Sequence, residues 1–136
     1  MKTYDVLIIG GGPAGVAAAK VLKDNNVSYG IIDKEKFPRQ KLCGGGLTFK
    51  STSLLKKLGL KYSNINNNEV KNVRLIASGI SKNMPLINNI FMIDRYDFDY
   101  NNIKQVTNKN FFEEEKIIKI NGNVLETNKI PLYLMT

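Results

Sequence analysis

Gly10-Gly11-Gly12-Pro13-Ala14-Gly15 follows directly on the apolar run Val6-Leu7-Ile8-Ile9, and its glycines fall in the spacing Gly-x-Gly-x-x-Gly. Glycine at such a junction serves three physical ends. Gly10 permits a tight turn, Gly12 lets the backbone come close to a bulky anion, and Gly15 lets the next helix pack closely on the strand. A helix opening at that point presents unpaired N–H groups and a partial positive charge, which suits a pyrophosphate. Asp33, about 20 residues further on at the end of the next apolar run, offers a carboxylate that can accept a hydrogen bond from a ribose hydroxyl. Glycine loop, helix start and acid together point to a dinucleotide. The acid argues against a 2′-phosphate, and so against NADP; these residues alone do not choose between NAD and FAD.

The elements that must position these groups are legible in outline. Val6–Ile9 is a continuous branched run, the pattern of a strand buried on both faces of a parallel sheet. Pro13 suits a first helical turn, Val16 to Leu22 continue as a helix with a small-residue face, and Asp24-Asn25-Asn26 end it. Val27 to Ile32 supplies a second strand, which completes a βαβ unit of about 30 residues. Lys34 to Gly46 has no periodicity and contains Pro38, Cys43 and three consecutive glycines, so it reads as a long functional loop.

Beyond it, Ser51 or Ser53 caps a short helix through Leu58 that Gly59 stops. Residues 70–77 and 87–93 read as strands separated by the turn-rich Ser78-Gly79-Ile80-Ser81. Arg95–Val106 is expected to be a helix, with Phe98, Ile103 and Val106 on its apolar side. Asn121-Gly122 lies between two strand-like runs, 116–120 and 124–127, and signals a hairpin. Asn66-Asn67-Asn68 reads as a solvated turn.

Composition narrows the function classes. With 136 residues, 43% hydrophobic and 24% charged, the chain suits a soluble globular domain with one core, and is short for separate cofactor and substrate modules. No apolar run approaches the roughly 20 residues that span a bilayer, and no signal-peptide pattern precedes the first strand, so a cytoplasmic protein is expected. One cysteine and no histidine exclude an internal disulfide, a His-bearing zinc site and a Ser-His-Asp triad; no metal site is expected. The net charge of +8 comes from lysines scattered through every segment without a basic block, so no nucleic acid partner is expected.

Residues 4–46, with Tyr4-Asp5-Val6 leading into the glycine loop, resemble the geranylgeranyl reductase family of FAD-dependent oxidoreductases, within the wider class of aromatic hydroxylase flavoproteins. Gly12-Pro13-Ala14-Gly15 looks like that class. Phe37-Pro38-Arg39 followed by Lys41-Leu42-Cys43-Gly44-Gly45 is similar to the family's segment after the acidic residue. Asp94-Arg95-Tyr96-Asp97-Phe98-Asp99 is similar to its Arg-x-x-Phe-Asp signature.

The resemblance implies FAD as cofactor. It implies that Gly10, Gly12, Pro13, Ala14, Gly15, Asp33 and Lys34 hold the ADP half, with Arg39 near ribose and pyrophosphate and Arg95 near the FAD. Cys43, Gly44 and Gly45 would face the flavin ring, with Cys43 as a candidate redox or proton-handling residue. The implied fold is α/β: a Rossmann-like FAD-binding βαβ unit with a parallel sheet, plus a β-hairpin or meander and a few strands of an incomplete substrate domain. Residues 1–46 would form the cofactor unit and its loop, about 70–93 strands of the substrate domain, and 94–136 a helix and β-meander. Relatives of this kind carry a second FAD motif with an Ala-Asp-Gly core and a further substrate domain, neither of which is found here, so an N-terminal portion is expected. The implied activity is reduction of isoprenoid double bonds through a flavin hydride, with an apolar small-molecule substrate and contact with a membrane surface. The alternatives are a flavin monooxygenase or halogenase domain, or a non-catalytic truncated nucleotide-binding module.

Overall fold

A computed structural model describes residues 2–62 and 67–134. In chain order the elements are β1 (Thr3–Tyr4), β2 (Val6–Ile9), α1 (Pro13–Asp24), β3 (Tyr29–Ile32), β4 (Gly46–Leu47), α2 (Phe49–Lys57), β5 (Asn67–Ala77), β6 (Ile80–Ile93), α3 (Arg95–Val106), β7 (Phe111–Phe112), β8 (Ile117–Asn121), β9 (Val124–Thr127) and β10 (Leu132–Leu134). They form a mixed α/β structure that divides into two units, Met1–Arg39 with Asp99–Thr136, and Gln40–Phe98.

The first unit contains the expected βαβ arrangement. β2, β3 and β7 form a parallel sheet in that order, with Val6 opposite Tyr29 and Ile31 opposite Phe111. α1 carries Val16 and Ala19 buried. A second sheet runs β1-β10-β9-β8, and Ile32, Phe112, Leu125 and Leu132 are buried together, with Tyr4, Leu7 and Ile117 packed on them. Burial of such side chains, each worth about 1.5–3 kcal/mol, holds the unit together.

Three expectations for this unit change. Val6–Ile9 is not buried on both faces: β2 is an edge of its sheet, and Ile9 is 60% exposed. The strand buried at every residue is the central one, β3, which begins at Tyr29 rather than Val27. The hairpin lies one residue beyond Asn121-Gly122. Asn121 still pairs with Val124, so Gly122 and Asn123 form the turn, and Gly122 takes the positive φ of 56° that the turn requires.

In the second unit, β4, β6 and β5 form an antiparallel sheet, and Ile93 and Phe98 are buried with Leu47, Leu55 and Tyr62 against them. The cap of α2 is Thr48 rather than Ser51 or Ser53. Its extended backbone stands just before the helix and its hydroxyl accepts the Ser51 N–H, because the capping side chain must precede the first helical turn. β6 starts at Ile80 rather than Ile87. Ser78 and Gly79, with φ of 49° and 81°, make a two-residue turn that lets Ala77 pair with Ile80 at once, and Pro85 sits beside the register shift near Val70 and Asn72. Asn67 and Asn68 open β5 instead of forming a turn, and Asn66 lies outside the described residues.

Candidate functional site

The glycine loop occupies the junction of β2 and α1. Gly10 adopts φ of 102°, a conformation that side-chain-bearing residues rarely take, and its N–H donates to Ile32 O at 2.7 Å. A Cβ on Gly15 would stand 2.0 Å from Gly10 O and 3.2 Å from Ile8 Cγ2, so α1 meets the turn at a distance only glycine allows. Gly12 is different. A Cβ there would meet nothing closer than Arg39 Nη2 at 3.7 Å, an ordinary contact, so the chain's own packing leaves room for a Cβ at this position.

Gly12 is also the N-cap of α1. It offers no side-chain cap, Pro13 follows, and the first turn contains no acid. The N–H groups of that turn have no intrahelical acceptor, and Pro13 removes the one that could not have been used. An anion is the partner that satisfies this end.

Asp33 closes β3 and is 8% exposed. Its Oδ2 accepts the Gly11 N–H at 2.7 Å and its Oδ1 accepts the Glu35 N–H at 2.9 Å. A carboxylate has about four acceptor sites, so two of them remain for hydroxyl donors. Beside it runs a groove of about 280 Å³ with Ile9, Ile32 and Ile117 as apolar walls and Gly10, Asp33, Lys34, Glu115 and Lys116 as polar lining. Lys34 points outward, 3.9 Å from Glu35 Oε1. Apolar walls with a carboxylate at one end can accept a flat base and its sugar.

Arg39 lies against the loop. Its guanidinium carbon is 4.5 Å from the centre of the Phe37 ring, Nη2 is 3.9 Å from Asp33 Oδ2, and Nη1 is 3.1 Å from Asp99 Oδ2. Nη1 is buried, and although it is close enough to Asp99 for charge pairing it makes no directed hydrogen bond among the described residues. Nη2, on the other side of the fork, lies 3.7 Å from where a Cβ on Gly12 would stand, at the α1 N-terminus, and is the nitrogen placed to meet a dinucleotide phosphate.

The first unit therefore brings together Gly10, Gly12, Pro13, Ala14, Gly15, Asp33, Lys34 and Arg39. Cys43, Gly44, Gly45 and Arg95 belong to the second. There Cys43 is exposed and its Sγ accepts the Gly45 N–H at 3.4 Å. Gly45, with φ of 70°, is demanded by the chain itself, since a Cβ would stand 2.2 Å from Ile93 O. Gly44 has open space around it. Arg95 is the first residue of α3 and half-buried.

Sequence reasoning missed two contributors. Asp99, whose side chain is fully buried, pairs with Arg39; the signal was available, because Asp99, Asn102, Ile103 and Val106 follow helical spacing and all are buried. Glu115 lines the groove, buried, and accepts the Thr127 hydroxyl at 3.0 Å. Nothing in its local sequence distinguishes it from Glu113 and Glu114. No cluster of three metal-ligating side chains occurs among the described residues, and no helix among them is long and apolar enough to cross a membrane.

Residues 3–113 match the FAD binding domain family. An uncharacterized protein of Methanosarcina barkeri is 38% identical over 125 residues, 88% of this chain and 31% of that protein. This chain thus spans less than a third of that relative's length. A menaquinone reductase of Mycolicibacterium smegmatis is 41% identical over 56 residues, 41% of this chain and 14% of the reductase. A 1H-pyrrole-2-carbonyl peptidyl-carrier protein brominase of Pseudoalteromonas luteoviolacea is 33% identical over 103 residues, 72% of this chain and 25% of the brominase. Among solved structures, a geranylgeranyl bacteriochlorophyll reductase-like protein from Thermoplasma acidophilum has the same fold, with a TM-score of 0.73 at 23% identity, over 98% of this chain and 37% of that one. The loop, acid and arginine geometry and the family match lead to one statement: the chain belongs to the FAD binding domain family, and its cofactor is FAD.

Proposed function

We propose that this chain is the FAD-binding portion of an oxidoreductase resembling geranylgeranyl reductase, which reduces carbon-carbon double bonds in an isoprenoid chain. The glycine loop, the α1 N-terminus and Arg39 take the pyrophosphate; Asp33 takes the ribose hydroxyls; the groove walled by Ile9, Ile32 and Ile117 takes the adenine. Lys34 lies at the groove's rim and Arg95 assists from α3. When bound, the flavin supplies the hydride that, with a proton, saturates the double bond.

The observation that carries the reductase reading is the segment Lys41-Leu42-Cys43-Gly44-Gly45. It is similar to the reductase family's sequence after the acidic residue, and here Leu42 and Cys43 are exposed while Gly44 has nothing within 4 Å of where a Cβ would be. A flat apolar group can lie against such a backbone. The menaquinone reductase similarity supports the same reading. Cys43 is then the candidate proton-handling residue. An isoprenoid substrate is a lipid, and lysines near an anionic bilayer contribute about 1 kcal/mol each to surface contact.

The brominase similarity, which covers more of this chain, favours a second reading: an FAD domain of the halogenase and monooxygenase kind. The two differ in what they do with oxygen. The whole oxidoreductase of which this chain would be the FAD-binding portion is loaded with FAD, reduced by dithionite without oxygen, and offered geranylgeranyl-bearing lipid; a product heavier by two hydrogens supports the reductase. Turnover that requires oxygen and bromide, with a brominated pyrrole as product, supports the halogenase and overturns the reductase.

A further inference from the structure

Arg39 sits in an irregular loop, where a long side chain has many rotamers to choose from, yet it is only 11% exposed and its two terminal nitrogens face different partners. Nη1 lies 3.1 Å from Asp99 Oδ2, and Nη2 lies 3.7 Å from the place where a Cβ on Gly12 would stand. We propose that Asp99 is a positioning residue for cofactor binding: it holds one end of the Arg39 guanidinium so that the other end faces the pyrophosphate at Gly12. This rests on the FAD reading above and adds to it a residue that touches no part of the cofactor.

Three features support it. Asp99 is on α3, a regular helix, and its side chain is fully buried, so it is a fixed anchor for a loop residue. The Phe37 ring supports the guanidinium from one side and itself packs at Gly11, where an added Cβ would stand 3.1 Å from Phe37 Cζ. Only a planar fork can serve Asp99 with one nitrogen and the glycine loop with the other; a lysine ammonium is a single point charge.

Charge alone predicts the opposite sign. Asp33 and Asp99 place two carboxylates around one guanidinium, so deleting the charge of Asp99 ought to favour an anion by Coulomb attraction. The positioning role requires that the same deletion weaken phosphate binding, because Arg39 is released from its orientation. The sign of the effect separates the two.

The experiment is calorimetric titration of wild type, Asp99→Asn and Arg39→Lys with FAD, ADP and adenosine, with thermal unfolding recorded alongside. Asp99→Asn is expected to weaken ADP and FAD by about tenfold, the size of one charge-assisted hydrogen bond, and to leave adenosine unchanged. Arg39→Lys keeps the charge but not the planar fork and is expected to show the same phosphate-dependent loss; should Asp99→Asn unfold, Asp99→Glu, which keeps the charge but moves the carboxylate, is expected to weaken ADP and leave adenosine unchanged. Asp99→Asn binding ADP more tightly or as well as wild type overturns the inference, as does an equal loss for ADP and adenosine, or Arg39→Lys binding ADP like wild type. Wild type binding neither FAD nor ADP overturns the FAD reading itself, and the inference with it.

Discussion

Asp33 Oδ2 accepts the N–H of Gly11 at 2.7 Å, which ties the end of β3 to the glycine loop after β2. The acid is therefore part of the loop's architecture before any ribose reaches it. Asp33→Ala leaves the Gly11 and Glu35 N–H groups without acceptors, each at a cost of about 1–3 kcal/mol where burial keeps water away. A drop in the urea midpoint is expected together with weaker FAD binding, and Asp33→Asn, which retains one acceptor oxygen, should fall between the two.

Gly15→Ala tests packing rather than binding. Its Cβ would stand 2.0 Å from Gly10 O, a backbone atom that cannot swing away, so α1 must shift off the turn. A loss of about 3 kcal/mol is expected, at the upper end of overpacking costs, and circular dichroism melts will register it with or without FAD.

Tyr29 makes the protein sensitive to alkali. Its hydroxyl donates to Val106 O, and burial pushes the phenol above its ordinary value of 10.0. The folded state thus holds this proton more tightly than the unfolded chain does. Its contribution is complete below about pH 10 and is lost as pH rises through the folded value. Tyr29→Phe is expected to cost about 1–2 kcal/mol at neutral pH and to flatten the decline of the urea midpoint above about pH 10.

How much of this could be read from the sequence depends on how local each feature is. Gly10, Gly12, Gly15 and Asp33 were legible because strand, turn, helix and acid follow one another within a short span, and α3 was legible from the spacing of Phe98, Ile103 and Val106. That β3 rather than β2 is the central strand was not, since it depends on β7, from much later in the chain, pairing with β3. The place of Asp99 on the buried face of α3 was legible, but its pairing was not: its partner, Arg39, lies on a loop whose path no periodicity reveals. Glu115 reaches the groove only through the turn that joins β7 to β8.

The central claim is that the mouth between β2 and α1 holds the pyrophosphate of FAD, and Gly12→Val tests it most directly. The extended backbone of Gly12 (φ −76°, ψ −176°) suits a side-chain-bearing residue and a Cβ there would stand 3.7 Å from Arg39 Nη2, with the γ-methyls of valine filling the space a phosphate would need, so the fold is expected to survive with a stability loss of about 1 kcal/mol from the poorer N-cap. FAD titration followed by flavin fluorescence should then show binding by wild type and its loss in Gly12→Val, while the two melt within a few degrees of each other. Equal FAD affinity in both proteins would contradict the account.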